Sequence, residues 1–130
     1  MTMEQDIRNS STLEGLKVLL LEDEFIIGMD IEETFVNLGA DVTGPLETVE
    51  SALSAIKGGD FDVGILDLGL LDGEAFPAAD LLAKQDTPFC FYTGHGRPDD
   101  LRERYPSAKI CVKPTDMEVL VSAVSDLTTA

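Results

Sequence analysis

Basic residues are scarce in this chain. Nine Lys and Arg face twenty-five Asp and Glu over 130 residues, a formal net charge of −16. A field of that sign repels phosphate backbones and anionic lipid surfaces, so neither nucleic acid nor membrane is an expected partner. Basic proteins and bound cations are favoured instead, although solubility alone explains much of such an excess. Histidine is nearly absent, with His95 alone, and the two cysteines, Cys90 and Cys111, lie in short apolar runs without metal-ligand spacing. Both cysteines read as core filler in a reducing compartment. If Thr93 and Lys113 point the same way from neighbouring strands, alternation puts Cys111 on that face and Cys90 on the other, so no disulfide between them is expected. No run reaches the roughly eighteen apolar residues of a membrane span. The opening MTMEQDIRNSSTLEG lacks an apolar stretch behind a basic start, so it is read as neither signal peptide nor anchor. The protein is expected to be cytoplasmic.

What is present is an ordinary globular composition, 44% hydrophobic and 26% charged. A chain of this length forms one domain that buries about two thirds of its unfolded surface. Residues 1–15 are polar and aperiodic and read as a flexible lead, with the folded domain over 16–130. There is no internal repeat or low-complexity segment.

The stretch from Phe61 to Gly73, FDVGILDLGLLDG, organises the rest. Its apolar run reads as a buried strand, and Asp67 stands where that strand surfaces. Ligands of open α/β sheets bind outside the carboxyl ends of the strands, so a lone carboxylate there is a candidate for chemistry, the alternative being a cap for the next loop. Four other strands flank it. Val18–Leu21 opens onto Glu22, Asp23 and Glu24, a short strand lies near Asp41–Thr43, Phe89–Tyr92 ends at Thr93, and Ile110–Val112 closes on Lys113 and Pro114.

Helices fall between the strands. Ile27, Ile31, Phe35 and Leu38 make one apolar stripe that stops at Gly39, and Val49, Leu53 and Ile56 make a second over residues 47–57. A third helix is expected between Gly73 and Lys84, with its start shifted as far as about Phe76 because Pro77 cannot sit deep inside it. Arg97, Pro98, Asp99 and Asp100 mark a short fourth helix to about Tyr105. Met117, Leu120, Val121, Val124 and Leu127 form the stripe of a fifth, with Thr115 and Glu118 at capping-box spacing. Strands alternating with helices predict an α/β fold with a five-stranded, doubly wound parallel sheet.

Parallel strands bring their carboxyl ends to one edge, so Glu22, Asp23, Asp67, Thr93 and Lys113 can converge. Carboxylates packed together repel unless a cation neutralises them, and hard oxygen ligands suit Mg²⁺. With that charge neutralised, Asp67 can act as a nucleophile toward a phosphoryl group. Lys113 and Thr93 would then hold phosphoryl oxygens.

These residues, in this order over about 16–128, resemble the response-regulator receiver family. The resemblance implies the flavodoxin-like strand order 2-1-3-4-5. It assigns Asp67 as phosphoacceptor, Glu22, Asp23 and the Gly69 carbonyl as further Mg²⁺ ligands, Thr93 as switch hydroxyl and Lys113 as phosphate-binding lysine. It also implies a cis Lys113-Pro114 bond. PFCFYTGHG is similar to the FATGUY loop of stand-alone alphaproteobacterial receivers, and EDEFIIGMDIEETFVNLG to receivers served by HWE-type kinases. The function implied is that of a single-domain response regulator in a two-component phosphorelay. A histidine kinase or phosphotransfer protein would phosphorylate it, and its output would pass to a protein partner. It would not be an enzyme beyond its own phosphorylation and dephosphorylation.

Three features depart from that pattern or extend it. Leu71 replaces the usual proline, which predicts a less rigid loop after Asp67. Ile110 replaces the switch aromatic, so output is expected through the Thr93–Gly96 loop and the fourth helix. His95, two residues after Thr93, is placed at the mouth of the site as a modulator of acyl-phosphate hydrolysis, a lone histidine being more often structural. Phe25, Ile26 and Met29 lie beside the first helical stripe and become a partner contact if exposed. The alternative function is a small Mg²⁺-dependent phosphohydrolase with an aspartyl-phosphate intermediate. Such enzymes use a second acid two residues after the nucleophile, and Gly69 occupies that position.

Overall fold

The computed structural model describes residues 13–94 and 98–129; His95 lies outside them. Five parallel strands form one sheet: β1 (Lys17–Leu21), β2 (Asp41–Leu46), β3 (Val63–Leu66), β4 (Phe89–Thr93) and β5 (Lys109–Val112). Their order is β2-β1-β3-β4-β5, the expected one. The helices are α1 (Phe25–Asn37), α2 (Val49–Gly58), α3 (Phe76–Lys84), α4 (Pro98–Arg104) and α5 (Met117–Thr128). The chain winds one way from β1 to β2 and the other way from β3 onward, so right-handed crossovers place helices on both faces.

Two buried clusters follow from this winding. Leu19, Leu21, Leu66, Phe89 and Phe91 pack against Ile56 of α2, Leu82 of α3 and Leu101 of α4. On the opposite face Val18, Leu20, Val63 and Ile65 pack against Ile31 and Phe35 of α1 and Leu120 and Val124 of α5. Strands buried on both faces must be apolar at every position, which is why VLLL and VGIL carry no polar alternation. Leu13 is buried in the second cluster, and Gly15 N donates to Gly39 O at 2.9 Å. Residues 13–15, assigned to the lead from sequence, are thus docked on the fold through Leu13 and the Gly15–Gly39 bond.

Strand β2 runs through Gly44 and Pro45 rather than stopping at Thr43, with a register irregularity against β1. It is an edge strand, where a proline without a donor is tolerated. The Gly44-Pro45 and Lys113-Pro114 bonds are both cis, the second as the resemblance implied. Gly28 in α1 packs onto this edge, and a Cβ there would lie 2.7 Å from Pro45 Cβ. α1 can approach β2 so closely only with glycine at that contact.

Two local expectations are corrected. The N-cap of α5 is Asp116, which makes no side-chain cap bond, so Thr115 and Glu118 form no capping box there. Cys90 and Cys111 lie on the same face of the sheet, in the second cluster, not on opposite faces. The sequence argument assumed that Thr93 and Lys113 point the same way, but Thr93 registers with Val112 and Tyr92 with Cys111. Both cysteines are nonetheless free thiols, and burial pushes both above the ordinary thiol range, as for inert core residues. Among the described residues no helix is long and apolar enough to cross a membrane.

Candidate functional site

The carboxyl edge of the sheet gathers the candidates, and the backbone ladder continues just past each strand to hold them. Glu22 N donates to Leu46 O at 2.9 Å, Asp67 N to Leu21 O at 2.9 Å, and Lys113 N to Thr93 O at 3.1 Å. Glu22, Asp67 and Thr93 are the buried polar side chains among the described residues, each at most 2% exposed. Asp23 is half-buried and Glu24 exposed.

Lys113 joins the acids. Its Nζ lies 2.8 Å from Glu22 Oε1, 3.0 Å from Asp67 Oδ2 and 3.4 Å from Glu24 Oε1. Glu22 Oε2 also accepts from Glu24 N at 3.1 Å. Burial pushes the Glu22 carboxyl up to about 7; the bond from Lys113 works against that rise, and the neighbouring Asp67 adds to it. Burial pulls the Lys113 ammonium down, but its bonds to Glu22 and Asp67 outweigh this and hold it above the ordinary lysine range. The ammonium is therefore a permanent positive charge inside the acidic cluster.

Among the described residues, the acids around Lys113 outnumber it. Glu22, Asp23, Glu24 and Asp67 each offer a carboxylate oxygen, all within 4.8 Å of one another. An all-oxygen, strongly anionic donor set of this kind fits a hard divalent cation such as Mg²⁺. Glu24 was not singled out as a ligand from sequence, although its place directly after Glu22 and Asp23 was the available signal.

The loop after Asp67 is better held than its missing proline suggested. Gly69–Leu70 and Gly73–Glu74 pair as a two-residue antiparallel ladder, and Ala75 N donates to Leu68 O at 2.7 Å. At the hairpin tip Leu71 N donates to Glu47 O at 3.0 Å. Asp72 accepts from Val49 N at 2.6 Å and Glu50 N at 3.3 Å, the first amides of α2. The bond from Val49 keeps the Asp72 carboxyl below its ordinary value. Leu71 therefore leaves the loop without a proline but not without anchors.

On the other side of the site, Ile110 in β5 packs against the first cluster, and an aromatic is supplied from elsewhere. Tyr105, just past α4, has ring centroids 5.5 Å from both Phe89 and Phe91. Its hydroxyl donates to Asp80 Oδ1 of α3 at 2.6 Å, and Arg104 Nη2 lies 3.0 Å from Asp80 Oδ2. Sequence reasoning missed this tie between α3 and α4, because the partners are 24 and 25 residues apart and both helices are short. On α1, Ile26 is 81% exposed and Phe25 and Met29 are exposed beside it, the condition set for a partner contact.

No protein-family model and no curated protein matches the chain. Solved structures do. SdrG from Sphingomonas melonis Fr1 is 31% identical, with 91% of this chain and 98% of that one covered and a TM-score of 0.71. A response regulator receiver protein from Sinorhizobium medicae WSM419 is 26% identical over 91% of this chain and 98% of its own, with a TM-score of 0.81. The chain belongs to the response-regulator receiver family. A third structure similar to this receiver is the BeF3-activated conformation of SdrG from Pseudomonas melonis Fr1, 34% identical over 87% of this chain and 96% of that one, with a TM-score of 0.69.

Proposed function

We propose that this receiver is a phosphoacceptor switch in a two-component relay, with Asp67 as the residue phosphorylated. The observation that carries the reading is the junction of a buried carboxylate, Asp67, with the Lys113 ammonium 3.0 Å away and three more acids within reach of one cation. An Asp67 carboxylate oxygen attacks the phosphorus of a phosphohistidine; the P–N bond breaks, the imidazole leaves and an acyl phosphate forms. Mg²⁺, when held by Glu22, Asp23, Asp67 and the Gly69 carbonyl, supplies the charge that lets the anionic groups approach. Lys113 would turn from the Glu22 carboxylate toward the new phosphoryl oxygens, and the Thr93 hydroxyl would donate to one of them.

The donor, a histidine kinase or phosphotransfer protein, would dock over the exposed Phe25, Ile26 and Met29 at the start of α1, beside the acids. With Ile110 in place of an aromatic, the change would pass from Thr93 through α4 to a protein partner. The FATGUY-like loop and a cytoplasmic location belong to the same reading, as does a role for His95 in hydrolysis, tested by the acyl-phosphate lifetime of His95→Ala.

The reading is tested by incubation with a small phosphoryl donor, with and without Mg²⁺, on the native chain and on Asp67→Asn. Stoichiometric labelling that needs Mg²⁺ and is lost in the variant is the expected result. Many turnovers of the donor would support the phosphohydrolase instead, and labelling that survives the substitution would refute both.

A further inference from the structure

The hairpin that follows Asp67 is anchored at both ends. Its base is closed by the bond from Ala75 N to Leu68 O at 2.7 Å, and the Gly69–Leu70 and Gly73–Glu74 ladder carries it to the tip. The tip consists of Leu71 and Asp72, and it does not project freely. Asp72 takes both leading amides of α2, Val49 N at 2.6 Å and Glu50 N at 3.3 Å, while Leu71 N bonds to Glu47 O at 3.0 Å. Helix α2 already has its own cap, Thr48, whose side chain accepts from Ser51 N at 3.0 Å. Asp72 therefore satisfies amides that the local cap leaves open, and it does so from 22 to 23 residues away. A carboxylate on helix-terminal amides is a charge-assisted contact favoured by the helix dipole.

We propose that Asp72 is a positioning residue for the divalent-cation site. By holding the hairpin tip on the amino terminus of α2, it fixes the Gly69 backbone beside Asp67 and so sets the cation affinity of the acidic cluster. This rests on the phosphoacceptor reading, in which the Gly69 carbonyl is a ligand. Leu71 offers no ring to stiffen the turn, and the carboxylate next to it supplies the constraint through space. Groups that orient ligands from behind typically change metal affinity by tenfold or more when removed.

The test is a titration with Mg²⁺ alone, followed by the amide shifts of Glu22, Asp67 and Gly69, on the native chain, Asp72→Ala, Asp72→Asn and Thr48→Ala. Asp72→Ala is expected to weaken binding on the order of tenfold. Asp72→Asn keeps one acceptor oxygen and recovers much of the affinity. Thr48→Ala loosens the same helix end without touching the hairpin, so its affinity stays native. In the metal-free state, amide exchange at Leu71 speeds up in Asp72→Ala while that at Asp67 keeps its protection. Native affinity in Asp72→Ala overturns the inference alone, as does an equal loss in Thr48→Ala. A native chain that takes up no Mg²⁺ overturns the phosphoacceptor reading and this inference with it.

Discussion

Lys113 lies closer to Glu22 than to Asp67, 2.8 Å against 3.0 Å, so the lysine that should serve the phosphoryl group is bonded first to a metal-ligand candidate. In the metal-free receiver it bonds to both buried carboxylates, and a divalent cation would share that task. Lys113→Met removes that ammonium from both carboxylates. The variant is expected to lose about 3 kcal/mol of stability, as when one partner of a buried ion pair is removed. Thermal unfolding with and without Mg²⁺ checks this. The ion should raise the melting temperature of Lys113→Met more than that of the native chain, and an equal rise would deny that lysine and metal share the same carboxylates.

Tyr105 and Asp80 tie α4 to α3 through a 2.6 Å bond. Burial first, and then that bond, holds the phenol above its ordinary range, so it stays a donor at neutral pH. Tyr105→Phe removes the bond and keeps the ring among Phe76, Phe89 and Phe91. A loss of about 1 kcal/mol in urea unfolding is expected. Tyr105→Ala also removes the ring, and its cost should be several-fold larger, about 3 kcal/mol.

Gly28→Ala tests the close approach of α1 to the sheet edge. Alanine is the better helix former by about 1 kcal/mol. Its Cβ would nevertheless stand 2.7 Å from Pro45 Cβ and 2.8 Å from Pro45 Cγ. Overpacking of this kind costs about 1–3 kcal/mol, so the net effect is destabilising, read as a lower urea midpoint. A rise in the midpoint would show that Pro45 yields without cost.

Ile26→Glu places a charge in the exposed patch on α1. Transfer from a phosphorylated histidine donor should fall at least tenfold, as measured by loss of label from the donor. Labelling by a small phosphoryl donor should fall much less, since Ile26 lies outside the acidic cluster. Equal losses would place Ile26 in the chemistry and not in docking.

The three central strands were legible because they are buried on both faces: such strands must be runs like VLLL and VGIL, and their ends must be where Glu22, Asp67 and Thr93 appear. Which side chains share a face was less legible. Cys90 and Cys111 were separated by counting alternation from Thr93 and Lys113, two residues at strand ends whose alignment across the sheet cannot be read along the chain. The continuation of β2 through Gly44 and Pro45 was hidden because edge position, set by the whole topology, is what permits proline there. Asp72 looked like a turn residue beside Gly73. Its partners Val49 and Glu50 lie 23 and 22 residues back along the chain and come near only in the folded sheet.

The central claim is that Asp67 receives the phosphoryl group. Borohydride reduces the acyl phosphate of an aspartate to homoserine, so peptide mapping after phosphorylation with Mg²⁺ and reduction reads the acceptor position directly. The account predicts homoserine at position 67 alone, and none when Mg²⁺ is withheld. Homoserine at Glu22's neighbour Asp23, or at any other aspartate with Asp67 unchanged, would contradict it.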